Sequence, residues 1–239
     1  MNFTSILPIL SIIFLATFTR SALGFGDALI AMPLLALVVS MQTATPLVAF
    51  GATTIAITIL LKQWRNVDIK AAWRLILSSL IGIPFGLLLL KTAPESTVKA
   101  ILGVVLIGFG LYNLIKPNLP PLRSEKLAYV FGWVAGVLGG AYNTNGPAVV
   151  IYGALRKWPP ESFRATMQCY FLPTGLMILI GHGLAGLWTP TVLRLYAYSL
   201  PVILAAIFVG GKLNKVMSGG QFNRVIYALL IVMGALMFV

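Results

Sequence analysis

The stretch "YNTNGPAVVIYG", residues 142–153, sets two asparagines, a threonine and a Gly-Pro pair between apolar runs. Its meaning depends on the chain around it. Of 239 residues, 59% are hydrophobic and 9% charged, and the mean hydropathy is +0.96. A soluble domain carries about 25% charged residues, so this chain has too few to coat a core of its size. A helix crosses the hydrocarbon with roughly 20 apolar residues, and such runs recur along the chain. The sequence reads as an all-α polytopic membrane protein. The polar stretch is then a break at membrane depth.

The formal charge is +12. The 17 Lys and Arg residues fall in short clusters between apolar segments, with no basic tail. That pattern fits the positive-inside rule and argues against nucleic acid; the surrounding partner is membrane lipid. The single Cys169 excludes an internal disulfide. The opening "MNFTSILPILSIIFLATFTRSALG" lacks a basic leading region and reads as a retained membrane segment rather than a cleaved signal.

Polar punctuation divides the chain into segments near 3–23, 28–40, 44–62, 71–90, 97–115, 126–141, 147–156, 163–187, 190–211 and 222–239. Those at 28–40 and 147–156 are too short to span, and each follows a Gly-containing break. The breaks recur. "GFGDALIAMPLL" (24–35) aligns without gaps on "TNGPAVVIYGAL" (144–155), placing Gly26 on Gly146 and Ala28 on Ala148. Ala44-Thr45 matches Ala165-Thr166, and Gly86, Leu89, Lys91 and Gly110 match Gly210, Leu213, Lys215 and Gly234. The offset drifts slowly from 120 to 124. This predicts two homologous halves, 1–115 and 126–239, joined by a loop at 116–125.

A broken first helix carrying Gly-x-Gly and an apolar run to Pro, with a second Gly-Pro break past the midpoint, resembles the TauE/SafE sulfite exporter family, also called the toluene sulfonate uptake permease family. The resemblance covers nearly the whole chain. It departs at Asp27, where the family more often has another Gly, and at the Asn-rich "NTNGP". The resemblance implies a transporter of sulfite, sulfonates or a related sulfur anion, most readily an exporter in a bacterial cytoplasmic (inner) membrane. A homodimer is open to it.

Charge tests the topology. If each broken helix crosses once, giving eight simple spans, the basic residues divide 8 against 8 without Arg20. If each returns to its own side as a re-entrant hairpin followed by three transmembrane helices, the clusters at 62–74, 116–126, 156–164 and 212–224 fall together. Only Lys91, Lys99 and Arg194 then oppose them, 13 against 3. Three crossings per half make the halves inverted repeats, a common transporter architecture. The count favours this arrangement over the eight-span alternative.

Non-helical backbone at membrane depth is tolerated only inside protein or beside water. The half-helix after it starts with free N–H groups and a positive dipole end, which attract an anion. Pro147 suits a first turn, with Asn145 and Gly146 taking the cap and the non-helical geometry. Asn143, Thr144 and Asn145 supply neutral donors. With Gly24, Phe25 and Gly26 of the first break they form the candidate site for a small anion. Asp27, expected at the N-cap of segment 28–40, is either a structural cap or a proton-coupling residue. Arg20 reads as Asp27's partner, a clamp on substrate charge, or an interfacial snorkeler. Gln168 joins the site if its face points inward. Cys169 reads as inert packing and His182 as an interfacial loop residue. Thr45 and Thr166 can hydrogen-bond the breaks, and "GFGLYNL" and "FVGGKL" read as close helix packing.

The sequence has no HExxH, CxxC, Walker A or G-x-S-x-G pattern. It calls for no metal and no cofactor, and an intramembrane enzyme or assembly factor, which would need a polar cluster beyond the two breaks, is the poorer reading. A channel would want a ring of carboxylates, and the chain has five acidic residues in all.

Overall fold

The computed structural model describes residues 3–63, 69–115, 121–122, 124–158, 160–214 and 220–238. All regular structure among them is helical: α1 (Phe3–Leu23), α2 (Asp27–Leu35), α3 (Met41–Gln63), α4 (Ile69–Thr92), α5 (Glu95–Ile115), α6 (Leu127–Tyr142), α7 (Gly146–Leu155), α8 (Pro160–Leu184), α9 (Pro190–Asn214) and α10 (Gly220–Leu236). Five reach membrane-spanning length and apolarity: Met41–Leu61, Ala72–Thr92, Glu95–Ile115, Ala165–Leu184 and Pro190–Lys212. Large apolar side chains such as Leu61, Ile81 and Leu184 face outward, while Thr45, Ser79, Gln168 and Thr174 are buried. A surface greasier than parts of its interior suits lipid. The chain is a polytopic membrane protein.

Small residues decide which helices touch. A Cβ added at Gly132, Gly136 or Gly140 of α6 would collide with the carbonyl of Leu75, Ser79 or Ile83 of α4, respectively. The contacts climb both helices together, so α4 and α6 run parallel with their backbones in close approach. The Ser79 hydroxyl donates across the seam to the Gly132 carbonyl at 2.7 Å. Gly210 of α9 lies equally close to α1, where a Cβ would stand 2.7 Å from the Phe18 carbonyl oxygen. Gly103 and Gly110 of α5 meet α10 near Gly234 and Tyr227, respectively, an antiparallel pairing. Thus α6 packs on α4, α1 on α9, and α5 on α10.

The α6–α7 pair folds back on itself. Leu122 N–H, ahead of α6, donates to the carbonyl of Leu155, at the end of α7, at 2.9 Å. Arg156 donates to the Leu122 carbonyl at 2.8 Å, and Glu125 joins Arg156 at 3.6 Å and Arg74 of α4 at 2.6 Å. Phe131 and Tyr152 meet at a tilt partway up the two helices, 5.6 Å between centroids. The polar break is therefore the tip of the α6–α7 pair, farthest from this ion-paired base.

Two expectations shift. The second half-helix of the first break ends at Leu35 rather than Ser40, because residues 36–39 turn with bonds such as Leu37 N–H to the Leu34 carbonyl. In the glycine-rich pieces, Gly110 and Gly210 do pack against neighbouring backbone, but a Cβ at Gly108 or Gly211 would meet nothing within 4 Å. Of the basic residues counted for topology, Arg65, Lys116, Arg123 and Lys215 lie outside the described residues.

Candidate functional site

Each break is made by backbone that few residue types tolerate. Gly24 and Gly26 have φ of 93° and 98°, a left-handed region that costs glycine nothing. Gly26 is thereby the N-cap of α2. In the second break the left-handed residue is Asn143, with φ of 53°; asparagine is among the few side chains that accept it. Its N–H closes α6 on the Gly139 carbonyl at 2.7 Å. The chain then turns through Thr144 and Asn145 into α7.

The two tips meet. Gly26, Asp27, Ala28 and Leu29 from the first, Asn143 to Pro147 from the second, and Phe171 of α8 line one cavity of about 10 Å³. That is room for about one water and too little for a sulfur oxyanion, so the centre is closed in this conformation. Both α2 and α7 start at this cavity and direct their positive dipole ends toward it. Pro147 occupies the first turn of α7 and lacks an N–H, leaving the early donors to Gly146 and Ala148.

Arg20 is buried and makes the site's one ion pair among the described residues. Its Nη1 donates to Asp27 Oδ2 at 2.8 Å, and its Nη2 to Gln168 Oε1 at 3.1 Å. Gln168 Nε2 in turn donates to the Gly24 carbonyl at 2.7 Å, which ties α8 to the first break. The guanidinium lies over the Phe171 ring, 4.7 Å from its centroid. Its Nε–H is buried without an acceptor. On the other side, Asn145 Nδ2 donates to Thr174 Oγ1 at 3.3 Å, and Thr174 donates to the Tyr170 carbonyl at 2.7 Å. The Tyr170 and Ser79 hydroxyls are 2.7 Å apart. Thr45 Oγ1 reaches the Ala141 carbonyl at 3.3 Å, one turn before the second break. These partners fix the tips from α3, α4 and α8.

Several residues take roles other than those their types suggested. Asp27 is the first residue of α2 rather than its cap, and makes no capping bond; a bond to a buried guanidinium is charge-assisted and outcompetes a backbone N–H. Arg20 is 2% exposed, which rules out snorkelling. Asn145 holds the N-cap position with helical φ of −76° and no side-chain cap bond, its amide being spent on Thr174. Gly146 is helical. Phe25 turns away from the shared cavity and packs edge-on to Phe109, 6.3 Å between centroids. His182 is no loop residue: it lies buried in α8, its Nε2 3.2 Å from the Gly140 carbonyl. Cys169 is half-buried.

Phe171 and Thr174 went unnoticed in the sequence. Phe171 follows Gln168 by three residues and Thr174 follows Phe171 by three, so each adjoins the next on the surface of α8, and that periodicity was the available signal.

A family model described as "Sulfite exporter TauE/SafE" matches residues 9–237. No curated protein and no solved structure matches the chain.

Proposed function

This chain belongs to the TauE/SafE sulfite exporter family, and from that premise we propose that it carries a small sulfur oxyanion, sulfite or a sulfonate, outward across a cytoplasmic membrane. The family are membrane transporters of sulfur-containing anions, not enzymes. The observation that carries the finer reading is the convergence of both broken-helix tips on one cavity beside a buried arginine. Two half-helix starts, the neutral side-chain amides of Asn143 and Asn145, and the Arg20 guanidinium are together suited to a group with several acceptor oxygens and a negative charge. Thr144 lines the cavity while its N–H and hydroxyl are held by the Leu138 and Tyr142 carbonyls. Asp27 is the ionisable residue facing the cavity and takes the coupling role. Gln168 and Gly24 hold the first tip in register, and Gly26, Gly146 and Pro147 shape the backbone against the substrate.

We read the halves as inverted repeats, each opening with a re-entrant hairpin. The hydrogen bond from Leu122 to Leu155 supports this, because it brings the start of α6 and the end of α7 to one side. Arg74, Glu125 and Arg156 share that side, as the 13-to-3 charge count asks. Equivalent glycines perform equivalent packing, Gly86 against α6 and Gly210 against α1. With the α1–α2 hairpin entering from the opposite face, the tips meet at the midplane and alternate opening is a rocking of one hairpin against the other. Flux into and out of proteoliposomes, measured for sulfite, short sulfonates, sulfate and carboxylates, tests the substrate class. Carboxylate flux without any sulfur-anion flux would remove it.

A further inference from the structure

Asp27 stands between the cavity and Arg20. The cavity is lined by Asp27 and Phe171 and not by Arg20, yet both of those residues touch the guanidinium, one by ion pair and one by its ring. The Asp27 side chain is 13% exposed and that of Arg20 3%. An anion in this cavity therefore meets a carboxylate before it meets the arginine. Arg20 is also under-used: Asp27 takes one N–H, Gln168 another, and the buried Nε–H has no acceptor. A buried cation with a spare donor points to an acceptor that the resting chain does not supply.

We propose that the substrate anion and the Asp27 carboxylate exchange places on Arg20, and that each anion bound takes up one proton on Asp27. In the resting state the carboxylate neutralises the guanidinium. When a sulfonate or sulfite oxygen replaces it, an ionised Asp27 would be left unpaired beside a second anion in a space that lipid and apolar side chains cannot solvate. A proton on an Asp27 oxygen restores neutrality. The balance is anion⁻ + H⁺ + Arg20⁺·Asp27⁻ giving Arg20⁺·anion⁻ + Asp27–COOH, with no other bond made or broken. Few other groups compete. Among the residues whose side chains are described, the elements around Asp27 carry Arg20 of α1, Glu95, Lys99 and Tyr112 of α5, Tyr129 and Tyr142 of α6, Tyr152 of α7, Cys169, Tyr170 and His182 of α8, and Tyr227 of α10, with Glu95 and Lys99 paired to each other. Of these, Arg20 is the one ion-paired to Asp27. Facing it from the second tip are the uncharged Asn143, Thr144 and Asn145.

This exchange rests on the anion site proposed above and specifies its coupling: anion and proton move in the same direction, electroneutrally for a monoanion. Such a carrier exports when the outward anion gradient exceeds the inward pH gradient.

The test is isothermal titration of the purified full chain with methanesulfonate, which stays ionised across the working pH range, in buffers of different ionisation enthalpy. Wild type should take up one proton per anion, and its Kd should rise about tenfold per pH unit on the alkaline side. Asp27→Asn should bind without proton uptake, independently of pH, and more tightly than wild type at alkaline pH. Wild-type binding with no proton uptake overturns the exchange while leaving the anion site standing, and needs no variant. Retention of the pH slope in Asp27→Asn also overturns it. If methanesulfonate binds neither protein at any pH, the anion site itself fails, and the exchange with it.

Discussion

Leu122 N–H donates to the Leu155 carbonyl at 2.9 Å, so the chain entering α6 and the chain leaving α7 are joined side by side. In the proposed re-entrant arrangement, a helix pair tied this way at its base keeps both ends on one membrane face. Single cysteines at Ser124 and Lys157, in a Cys169→Ser background, should therefore label from one face, and a cysteine at Thr189 from the other. Labelling of 124 and 157 from opposite faces returns the eight-span arrangement.

The Arg20–Asp27 pair is nearly fully desolvated, with side chains 3% and 13% exposed. Removing one partner of such a pair typically costs about 3–5 kcal/mol, since the other charge is left uncompensated. Arg20→Met should lower thermal stability in detergent by that order. Arg20→Met combined with Asp27→Leu should recover most of the loss while abolishing transport. A double variant as unstable as the single one would mean that the arginine stabilises through Gln168 and Phe171 instead.

At the second tip, Asn145 spends its amide nitrogen on Thr174. Asn145→Ala removes that anchor and a donor-bearing group, and anion affinity should fall about tenfold, the equivalent of one ordinary hydrogen bond. Asn145→Asp places a negative charge at the start of α7, where like charge opposes the substrate. The order in a sulfite or sulfonate binding assay should be wild type, then Ala, then Asp. An Asp variant that binds as well as Ala would move the anion away from this tip.

The α4–α6 seam has no room for a methyl group at Gly136, where a Cβ meets the Ser79 carbonyl, whereas Gly108 has open space. Gly136→Ala should cost about 1–3 kcal/mol through overpacking and lower the folded yield. Gly108→Ala should be neutral or up to about 1 kcal/mol stabilising, because alanine favours helix. Thermal denaturation of both variants in the same detergent gives the comparison.

The positions of the breaks were legible because breaking a helix is local chemistry. Gly24, Gly26 and Asn143 stand where the backbone goes left-handed, and those residue types announce it. Span lengths followed from runs of apolar residues for the same reason. Asn145 does hold the N-cap position of α7, but the capping bonds themselves differ where a side chain has two possible partners. Asp27 could serve nearby N–H groups or a guanidinium, and Asn145 its own helix or Thr174; spacing along the chain cannot weigh a competitor brought in by another helix.

Which glycines pack was likewise undecidable in one dimension. Gly110 and Gly108 lie on the same helix, and only the position of α10 separates them. Phe25 illustrates the same limit within a break: its neighbours line the shared cavity, while it turns to Phe109.

By itself, the sequence determined a helical membrane chain with two interruptions about 120 residues apart, because composition and backbone permission are properties of single residues and short runs. The tertiary structure decided that the two interruptions share one cavity, that Arg20 is neutralised by Asp27 and held by Gln168 from 148 residues away, and that His182 is buried rather than interfacial. Those facts depend on which helix faces meet, and that is fixed by close packing at Gly132, Gly136, Gly140 and Gly210, summed over the whole fold.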